Sequence, residues 1–436
     1  MKPVKVGVLG LGTVGGGTVN VLKRNAAEIA RRAGREIIIT RASARDLNRD
    51  RICDTQGISL TTDPFEIIND PEIDIVLELI GGTTLAKTLV LKAIAQGKHV
   101  VTANKALIAL HGNEIFAQAS AKGVMIAFEA AVAGGIPIIK AIREGLSGNQ
   151  IQWLAGIING TGNFILTEMR DKGRDFADVL AEAQALGYAE ADPTFDVEGI
   201  DAGHKLTILA SIAFGIPLQF DKVYTEGITQ ITRADVEYAE ALGYRIKHLG
   251  IARKTAEGIE LRVHPTLIPH RRLIANVDGV MNAVLVKGDA VGPTLYYGAG
   301  AGAEPTASSV VADVIDVVRA MTGDPENRVP HLAFQADSLA DIPILAPEQF
   351  HTAYYLRLHA EDKPGVLADV TRILASHQIS IEAIIQKEPP VGKSSVPIIM
   401  LTQNTLEHEL NAAITEIEKL VTVTGKVNRI RLETLG

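Results

Sequence analysis

Val4-Lys-Val-Gly-Val-Leu9-Gly10-Leu-Gly12-Thr13-Val14-Gly15 decides how the first part of the chain folds. Val4 to Leu9 is a short apolar run rich in β-branched residues, the pattern of a buried strand. Glycines at i, i+2 and i+5 follow at once and lead into a helical pattern. The first permits a tight turn, the second lets backbone approach a pyrophosphate, and the third allows helix and strand to pack closely. A helix begun there aims its first N–H groups, around Thr13 and Val14, at an anion. Strand, turn and helix together predict a dinucleotide-binding turn made by Gly10, Gly12, Thr13, Val14 and Gly15. The other reading is a glycine-rich turn that holds no ligand.

Working outward, apolar runs at Ile37 to Ile39, Ile73 to Ile80, His99 to Thr102 and Val124 to Phe128 alternate with amphipathic segments. That alternation predicts an α/β fold with a doubly wound parallel sheet over residues 1–130. The second strand runs into Thr40-Arg41-Ala-Ser43-Ala-Arg45-Asp46. Arginines at that edge, Arg45 among them, suit a 2′-phosphate and favour NADP(H), whereas Asp46 can serve the free ribose of NAD(H); both arginines can also be solvated loop residues. Thr102-Ala-Asn104-Lys105 directly follows a strand, so Lys105 projects from the carboxyl edge, where such sheets bind ligands. It either holds a carboxylate or the nicotinamide region, or simply starts a helix in water.

The chain has 436 residues, 47% of them hydrophobic, and a formal charge of −8. That length predicts two or three domains. Without a basic run longer than two residues there is no electrostatic footprint for nucleic acid or an anionic membrane. Cys53 is the single cysteine, which excludes an internal disulfide and a cysteine-rich zinc site. The N-terminus reads as a strand rather than a signal peptide, and no apolar run reaches the ~18 residues of a spanning helix. These features predict a cytoplasmic protein working on small molecules.

Beyond Phe128 the pattern becomes mixed. Gln150 to Ile158 reads as a strand, Asn163 to Leu186 as two helices, and Tyr244 to Ile268 as extended pieces, giving a second, α+β domain over 131–304. Gly298-Ala-Gly-Ala-Gly302 precedes a helix expected over Thr306 to Met321, placed back on the first domain as part of 305–323. Prolines 325, 330, 343 and 347 mark a linker over 324–350. Residues 351–436 then follow the order βαββαβ. In this last unit Asp362-Lys-Pro-Gly365 joins a strand to a helix, and Gly365 would let helix-start N–H groups approach a carboxylate.

Carboxylates cluster in Tyr188-Ala-Glu190-Ala-Asp192-Pro-Thr-Phe-Asp196-Val-Glu-Gly-Ile-Asp201-Ala-Gly-His-Lys205. Asp201 and Lys205 stand one turn apart at the head of an apolar helix. They are either a catalytic pair or an ordinary i,i+4 surface pair; the apolar run after Lys205 argues against a solvated face. Oxidising an alcohol by hydride removal requires a group that takes the hydroxyl proton, and a lysine whose pKa is lowered by burial can do so. Asp201 opposes that lowering, which suggests that it engages the substrate's amino group as well as positioning the lysine.

Gly-Leu-Gly-Thr-Val-Gly, Thr-Ala-Asn-Lys105, Glu129-Ala-Ala-Val132-Ala-Gly134-Gly-Ile136-Pro, Asn159-Gly-Thr-Gly-Asn-Phe, Leu186-Gly-Tyr-Ala-Glu190-Ala-Asp-Pro and Asp201-Ala-Gly-His-Lys205 occur in that order, and over residues 1 to 330 the chain resembles the homoserine dehydrogenases. Residues from His351, with Asp362-Lys-Pro-Gly365-Val-Leu-Ala, resemble an ACT regulatory domain. The resemblance implies NAD(P)-dependent interconversion of L-homoserine and L-aspartate 4-semialdehyde, on the route to threonine, methionine and isoleucine. It implies Lys205 as acid and base with Asp201 and Lys105 as catalytic partners. Glu190, Asp196, Asp201 and Lys105 are implied as substrate ligands, and Gly187, Gly302 and Lys105 as cofactor contacts. It further implies a Na+ site from Glu129 with the carbonyls of Val132, Gly134 and Ile136. The ACT unit implies a free amino acid, expected to be L-threonine, at Asp362 and Gly365, and a homodimer or homotetramer; a plain dimerisation module without ligand is the alternative.

A phosphoglycerate dehydrogenase would use a His/acid pair, and an aspartate-semialdehyde dehydrogenase a nucleophilic cysteine, for which Cys53 is misplaced in the nucleotide domain. The remaining alternative is a non-catalytic amino-acid sensor that has kept a nucleotide fold.

Overall fold

The computed structural model describes residues 2–386 and 395–436. The chain forms two compact units: Met1–Gly160 with Asp201–Val223 and Val280–Ile342, and Thr161–Ile200 with Tyr224–Gly279 and Pro343–Gly436.

In the first unit a parallel sheet has the order Ser59–Thr61, Ile37–Ser43, Val4–Leu9, Ile75–Glu78, His99–Thr102, Ile126–Ala127. The order reverses between Val4–Leu9 and Ile75–Glu78, the kind of switch point at which open α/β sheets bind ligands. Ile75–Glu78 and His99–Thr102 are buried at every position, as strands covered on both faces must be. The α/β reading holds. Val4–Leu9 and His99–Thr102 begin and end where the apolar runs do; the second strand continues to Ser43. Ser59–Thr61, with Leu60 as its one apolar residue, is too short an edge strand to show an apolar run.

The Ala303–Ala320 helix begins three residues before the expected start, with Pro305 in its first turn, where a missing N–H breaks no helical bond. Ala307, Val310, Val314 and Val317 are buried with Val6, Val8 and Val19 in one core. Each such valine contributes ~1.5–3 kcal/mol by leaving water. Close approach explains Gly17: a Cβ there would lie 2.4 Å from the Ala303 carbonyl oxygen. The unit also holds the antiparallel strands Ile151–Ile157, Met281–Gly288 and Gly292–Ala299, and the apolar Ile200–Phe214 helix from Asp201 onward.

The second unit contains the Gly160–Lys172 helix from Thr161 onward, the Phe176–Ala185 helix and a long hairpin, Tyr244–Lys254 with Ile259–Pro269. Its C-terminal part is βαββαβ with strands in the order Val423–Leu432, His351–Glu361, Ser395–Thr402, Ile381–Gln386. The helices Val366–Ser376 and Glu407–Ile417 cover one face. This sheet does not end at its own edge: Ile259–Pro269 pairs in parallel with Val423–Leu432 through Thr266↔Arg431 and Leu267↔Leu432. Buried charges are paired across the join, which burial demands. Arg262 Nη2 lies 2.6 Å from Glu433, and Arg431 Nη1 lies 2.7 Å from Glu226.

Candidate active site

Gly10 turns the chain at φ +97°, and a Cβ on it would strike the Leu79 carbonyl oxygen at 2.8 Å. Gly15 has no room either, since its Cβ would lie 2.0 Å from the Gly10 oxygen. Gly12 differs: it is exposed, at the cap of the Thr13–Arg24 helix, and a Cβ there would meet nothing within 4 Å. That open space in front of the helix N–H groups, with no acidic residue in the first turn, fits a dinucleotide's phosphates. Thr13 is exposed and Val14 half-buried in the same turn. Arg45 and Asp46 are exposed beyond the second strand. Arg41 lies 3.6 and 3.5 Å from Glu66 and Asp70, so it has carboxylate partners of its own. Gly302, at φ +120°, caps the helix packed on Thr13–Arg24.

Asn104 caps the Lys105–Lys122 helix, its Oδ1 accepting from Leu107 N at 3.1 Å, so Lys105 emerges at the sheet's carboxyl edge. There Lys105 Nζ lies 2.9 Å from Asp201 Oδ1. The other Asp201 oxygen accepts from Lys205 Nζ at 2.6 Å and from Asn159 Nδ2 at 2.8 Å. Lys205 also donates to the Ile158 carbonyl at 2.7 Å. Burial alone would raise the Asp201 pKa, but the Lys205 and Lys105 ammoniums outweigh it and hold the carboxyl well below its ordinary range. The surface-pair reading of Asp201 and Lys205 fails on exposure, 4% and 12% for the two side chains. His204 is buried against Phe220, centroids 4.1 Å apart, and burial lowers its pKa to about 4. It is a packing residue.

Glu190, Asp196 and Gly187 belong to the second unit. Gly187, at φ +76°, and Glu190 are exposed in the segment after the Phe176–Ala185 helix; Asp196 is half-buried in the short Thr194–Val197 helix. The spacing that puts Glu190 and Asp196 just before Lys205 in sequence does not put them in the same compact unit.

Glu129 and the turn to Ile136 are buried except at Gly135. The Glu129 carboxylate accepts the Ile139 and Lys140 amides, at 2.8 Å each, and its own amide donates to Asp313 at 2.8 Å. Burial and Asp313 push the Glu129 carboxyl up to about 7; burial does the same to Asp313. The Gly134 carbonyl accepts Ser309 Oγ at 2.6 Å and the Ile136 carbonyl accepts Ile138 N at 2.8 Å. Each keeps a second lone pair. Ala133 stands at φ +52°, which gives the turn its irregular course past Val132 and Gly134. One carboxylate among backbone carbonyls suits a hard monovalent cation. Among the described residues no group of three or more His, Cys, Asp or Glu is arranged to hold a metal ion.

Sequence reasoning missed Asn159 as a partner of Asp201, although it sits right after the Ile151–Ile157 strand in a quoted motif. It missed Asp313, whose signal was a carboxylate inside the apolar stripe Val310-Val-Ala-Asp313-Val. It also missed the Leu79-Ile80-Gly81-Gly82-Thr83 loop beside Gly10.

A nucleotide-binding sheet with an amine–carboxylate–amine cluster at its carboxyl edge defines a nicotinamide-dependent oxidoreductase. Family models agree: "Homoserine dehydrogenase, NAD binding domain" matches residues 10–129, "Homoserine dehydrogenase" residues 137–315 and "ACT domain" residues 354–422. The chain is similar to a homoserine dehydrogenase of Pseudomonas aeruginosa, 71% identical over 100% of both chains, and to one of Neisseria gonorrhoeae, 57% identical over 100% of both. A solved homoserine dehydrogenase from Thiobacillus denitrificans superposes with a TM-score of 0.95 at 69% identity, over 100% of this chain and 99% of that one. A hyperthermophilic archaeal homoserine dehydrogenase in complex with NADPH shares the fold, with a TM-score of 0.60 at 24% identity over 72% of this chain and 98% of that one. The chain belongs to the homoserine dehydrogenase family, as an enzyme with an NAD-binding domain and a C-terminal ACT domain. That favours the enzyme over the non-catalytic sensor. Among the described residues no helix is long and apolar enough to cross a membrane.

Proposed function

We propose that Lys205 is the group that takes the hydroxyl proton of L-homoserine during oxidation and returns it when L-aspartate 4-semialdehyde is reduced. When bound, a nicotinamide cofactor supplies the hydride acceptor or donor. The observation that carries the reading is Lys205 Nζ held 2.6 Å from a buried Asp201 whose other oxygen faces Lys105 at 2.9 Å. Asp201 stays anionic throughout the working range and fixes both amines. The Ile158 carbonyl limits where Lys205 can point. Because Asp201 favours the charged form of Lys205, the resting group is the ammonium that semialdehyde reduction needs as its proton donor. A substrate ammonium that draws on the charge of Asp201 loosens its hold on Lys205 and lets more of the lysine stand as the neutral amine that oxidation requires. Glu190 and Asp196 are proposed to offer further carboxylates to that ammonium, and Lys105 to contact substrate and cofactor.

Gly10, Gly12, Thr13, Val14, Gly15, Gly187 and Gly302 are proposed as cofactor contacts. Exposed Arg45 favours NADP(H) over NAD(H) through a 2′-phosphate. Glu129 with the Val132, Gly134 and Ile136 carbonyls is proposed as a Na+ site, supported by the buried carboxylate and the irregular turn. In the C-terminal unit Gly365, at φ +96°, caps the Val366–Ser376 helix with nothing within 4 Å of a Cβ, and Asp362 is exposed beside it. That opening supports an amino-acid effector, proposed to be L-threonine. A cytoplasmic homodimer or homotetramer completes the reading, with 1–130 and 305–323 as the nucleotide part, 131–304 for substrate and dimerisation, and 351–436 for regulation after the 324–350 linker.

The deciding assay is homoserine-dependent reduction of NADP+, followed at the nicotinamide absorbance, in wild type and Lys205→Ala. Turnover in the variant close to wild type would remove Lys205 from the reaction.

A further inference from the structure

Glu78 ends the strand Ile75–Glu78 at the carboxyl edge of the parallel sheet, and its relative exposure is 0%. A carboxyl group so placed must be satisfied by donors from the protein. Its two oxygens take different ones. Oε1 accepts the Ile80 amide at 3.1 Å, which bends the chain into the Leu79–Thr83 loop; Oε2 accepts the Thr102 hydroxyl at 2.6 Å. With its hydrogen directed at Glu78, the Thr102 oxygen is left to accept, and it accepts the Asn104 amide at 3.0 Å. Asn104 then caps the Lys105–Lys122 helix with Oδ1 and ties the first loop back with Nδ2, which donates to the Gly82 carbonyl at 2.6 Å. Lys105 is the first residue of that helix.

We infer that Glu78 is a positioning residue for the reaction: through Thr102 and Asn104 it sets where the Lys105 helix begins, and so where the Lys105 ammonium meets Asp201. The same carboxyl group fixes the loop whose Leu79 carbonyl and Ile80 side chain stand against Gly10. One buried side chain thus aligns two neighbouring loops, one beside the dinucleotide turn and one leading to Lys105. Both carboxyl oxygens accept in this arrangement. A glutamine can accept on one oxygen only, so Glu78→Gln must turn its NH2 toward either the Ile80 amide or the Thr102 hydroxyl. Thr102→Val removes the middle link while keeping shape.

The inference rests on the reading of Lys105 as part of the active site, and the test separates the two. Glu78→Gln, Thr102→Val, Thr102→Ser, the Glu78→Gln/Thr102→Val double variant and Lys105→Ala are compared for kcat of homoserine oxidation, NADP+ Kd and melting temperature. Expected is a kcat loss of about tenfold or more in Glu78→Gln and Thr102→Val, as small misplacements produce. The double variant should be no worse than the poorer single one, because both break one chain of bonds. Thr102→Ser should restore kcat. Wild-type kcat in both single variants, with Lys105→Ala inactive, overturns the role of Glu78 alone. Fully additive losses that simply follow melting temperature also overturn it, as purely structural damage would behave so. Wild-type kcat in Lys105→Ala overturns the Lys105 reading and the inference with it. If Glu78→Gln fails to fold, Thr102→Val and Thr102→Ser decide the matter.

Discussion

Asp201 and Lys205 stand one turn apart on the same helix, joined at 2.6 Å, and both side chains are nearly out of water. An i,i+4 pair on a wet surface contributes a few tenths of a kcal/mol and does little else. Here the carboxylate also faces Lys105, so the single anion organises two cations. Lys205→Ala is expected to lower kcat about 100-fold or more, the scale of a lost general acid or base. Asp201→Ala should do the same. NADP+ binding should survive in both. Raising the pH should speed homoserine oxidation and slow semialdehyde reduction, since deprotonation of Lys205 serves the first and hinders the second. Initial rates in both directions across pH check this; parallel profiles would contradict it.

The two glycines of the nucleotide turn should separate binding from stability. Gly12→Ala meets open space, so its melting temperature should match wild type while NADP+ affinity drops about tenfold, the worth of one charge-assisted hydrogen bond. Gly15→Ala drives a methyl into the Gly10 carbonyl and should destabilise by about 1–3 kcal/mol as well. Calorimetric titration and thermal melts on the two variants provide the comparison. Equal melting temperatures for both would show that the turn is looser than its geometry implies.

A cation at the Glu129 turn would bind the folded chain and not the unfolded one. Melting in sodium chloride should then exceed melting in N-methyl-D-glucamine chloride by about 2 °C or more. Glu129→Gln should abolish the difference. Identical melting curves for wild type in the two salts would leave the turn without a metal.

If the exposed Asp362–Gly365 opening holds L-threonine, added threonine should inhibit homoserine oxidation and release heat on binding. Asp362→Ala should raise the threonine concentration needed by about tenfold, as loss of a hydrogen bond to a charged group does. A flat activity curve with no calorimetric signal would reduce the C-terminal unit to a structural module.

His331 stacks on Phe116 at 4.8 Å and accepts the Ile126 amide through Nε2 at 3.2 Å, and burial lowers its pKa from 6.5 to about 4. The folded protein therefore keeps it neutral where the unfolded chain protonates it. Its effect on stability is absent above about pH 6.5 and grows as pH falls toward about 4, against the fold. His331→Gln, which keeps an acceptor and cannot be protonated, should flatten the fall in urea midpoint between about pH 7 and about pH 5. An unchanged slope would show that other groups dominate.

The glycine turn, the alternation of strands and helices, the βαββαβ tail and the apolar helix behind Asp201 were all legible in the order of residues, because steric freedom at glycine and the two periodicities of burial are local properties. Edge strands without apolar runs were not, nor was the pairing of Ile259–Pro269 with Val423–Leu432, because backbone pairing between distant strands leaves no local pattern. The sequence by itself determined that a carboxylate and a lysine would share one helical face at Asp201 and Lys205. Only the tertiary structure decided that Lys105, Asn159 and the Ile158 carbonyl converge on them, that Glu78 holds Thr102, and that Asp313 meets Glu129. Those relations depend on which distant strand ends and helix starts are brought together out of water, where a charge or a polar group must find whatever partner the fold presents.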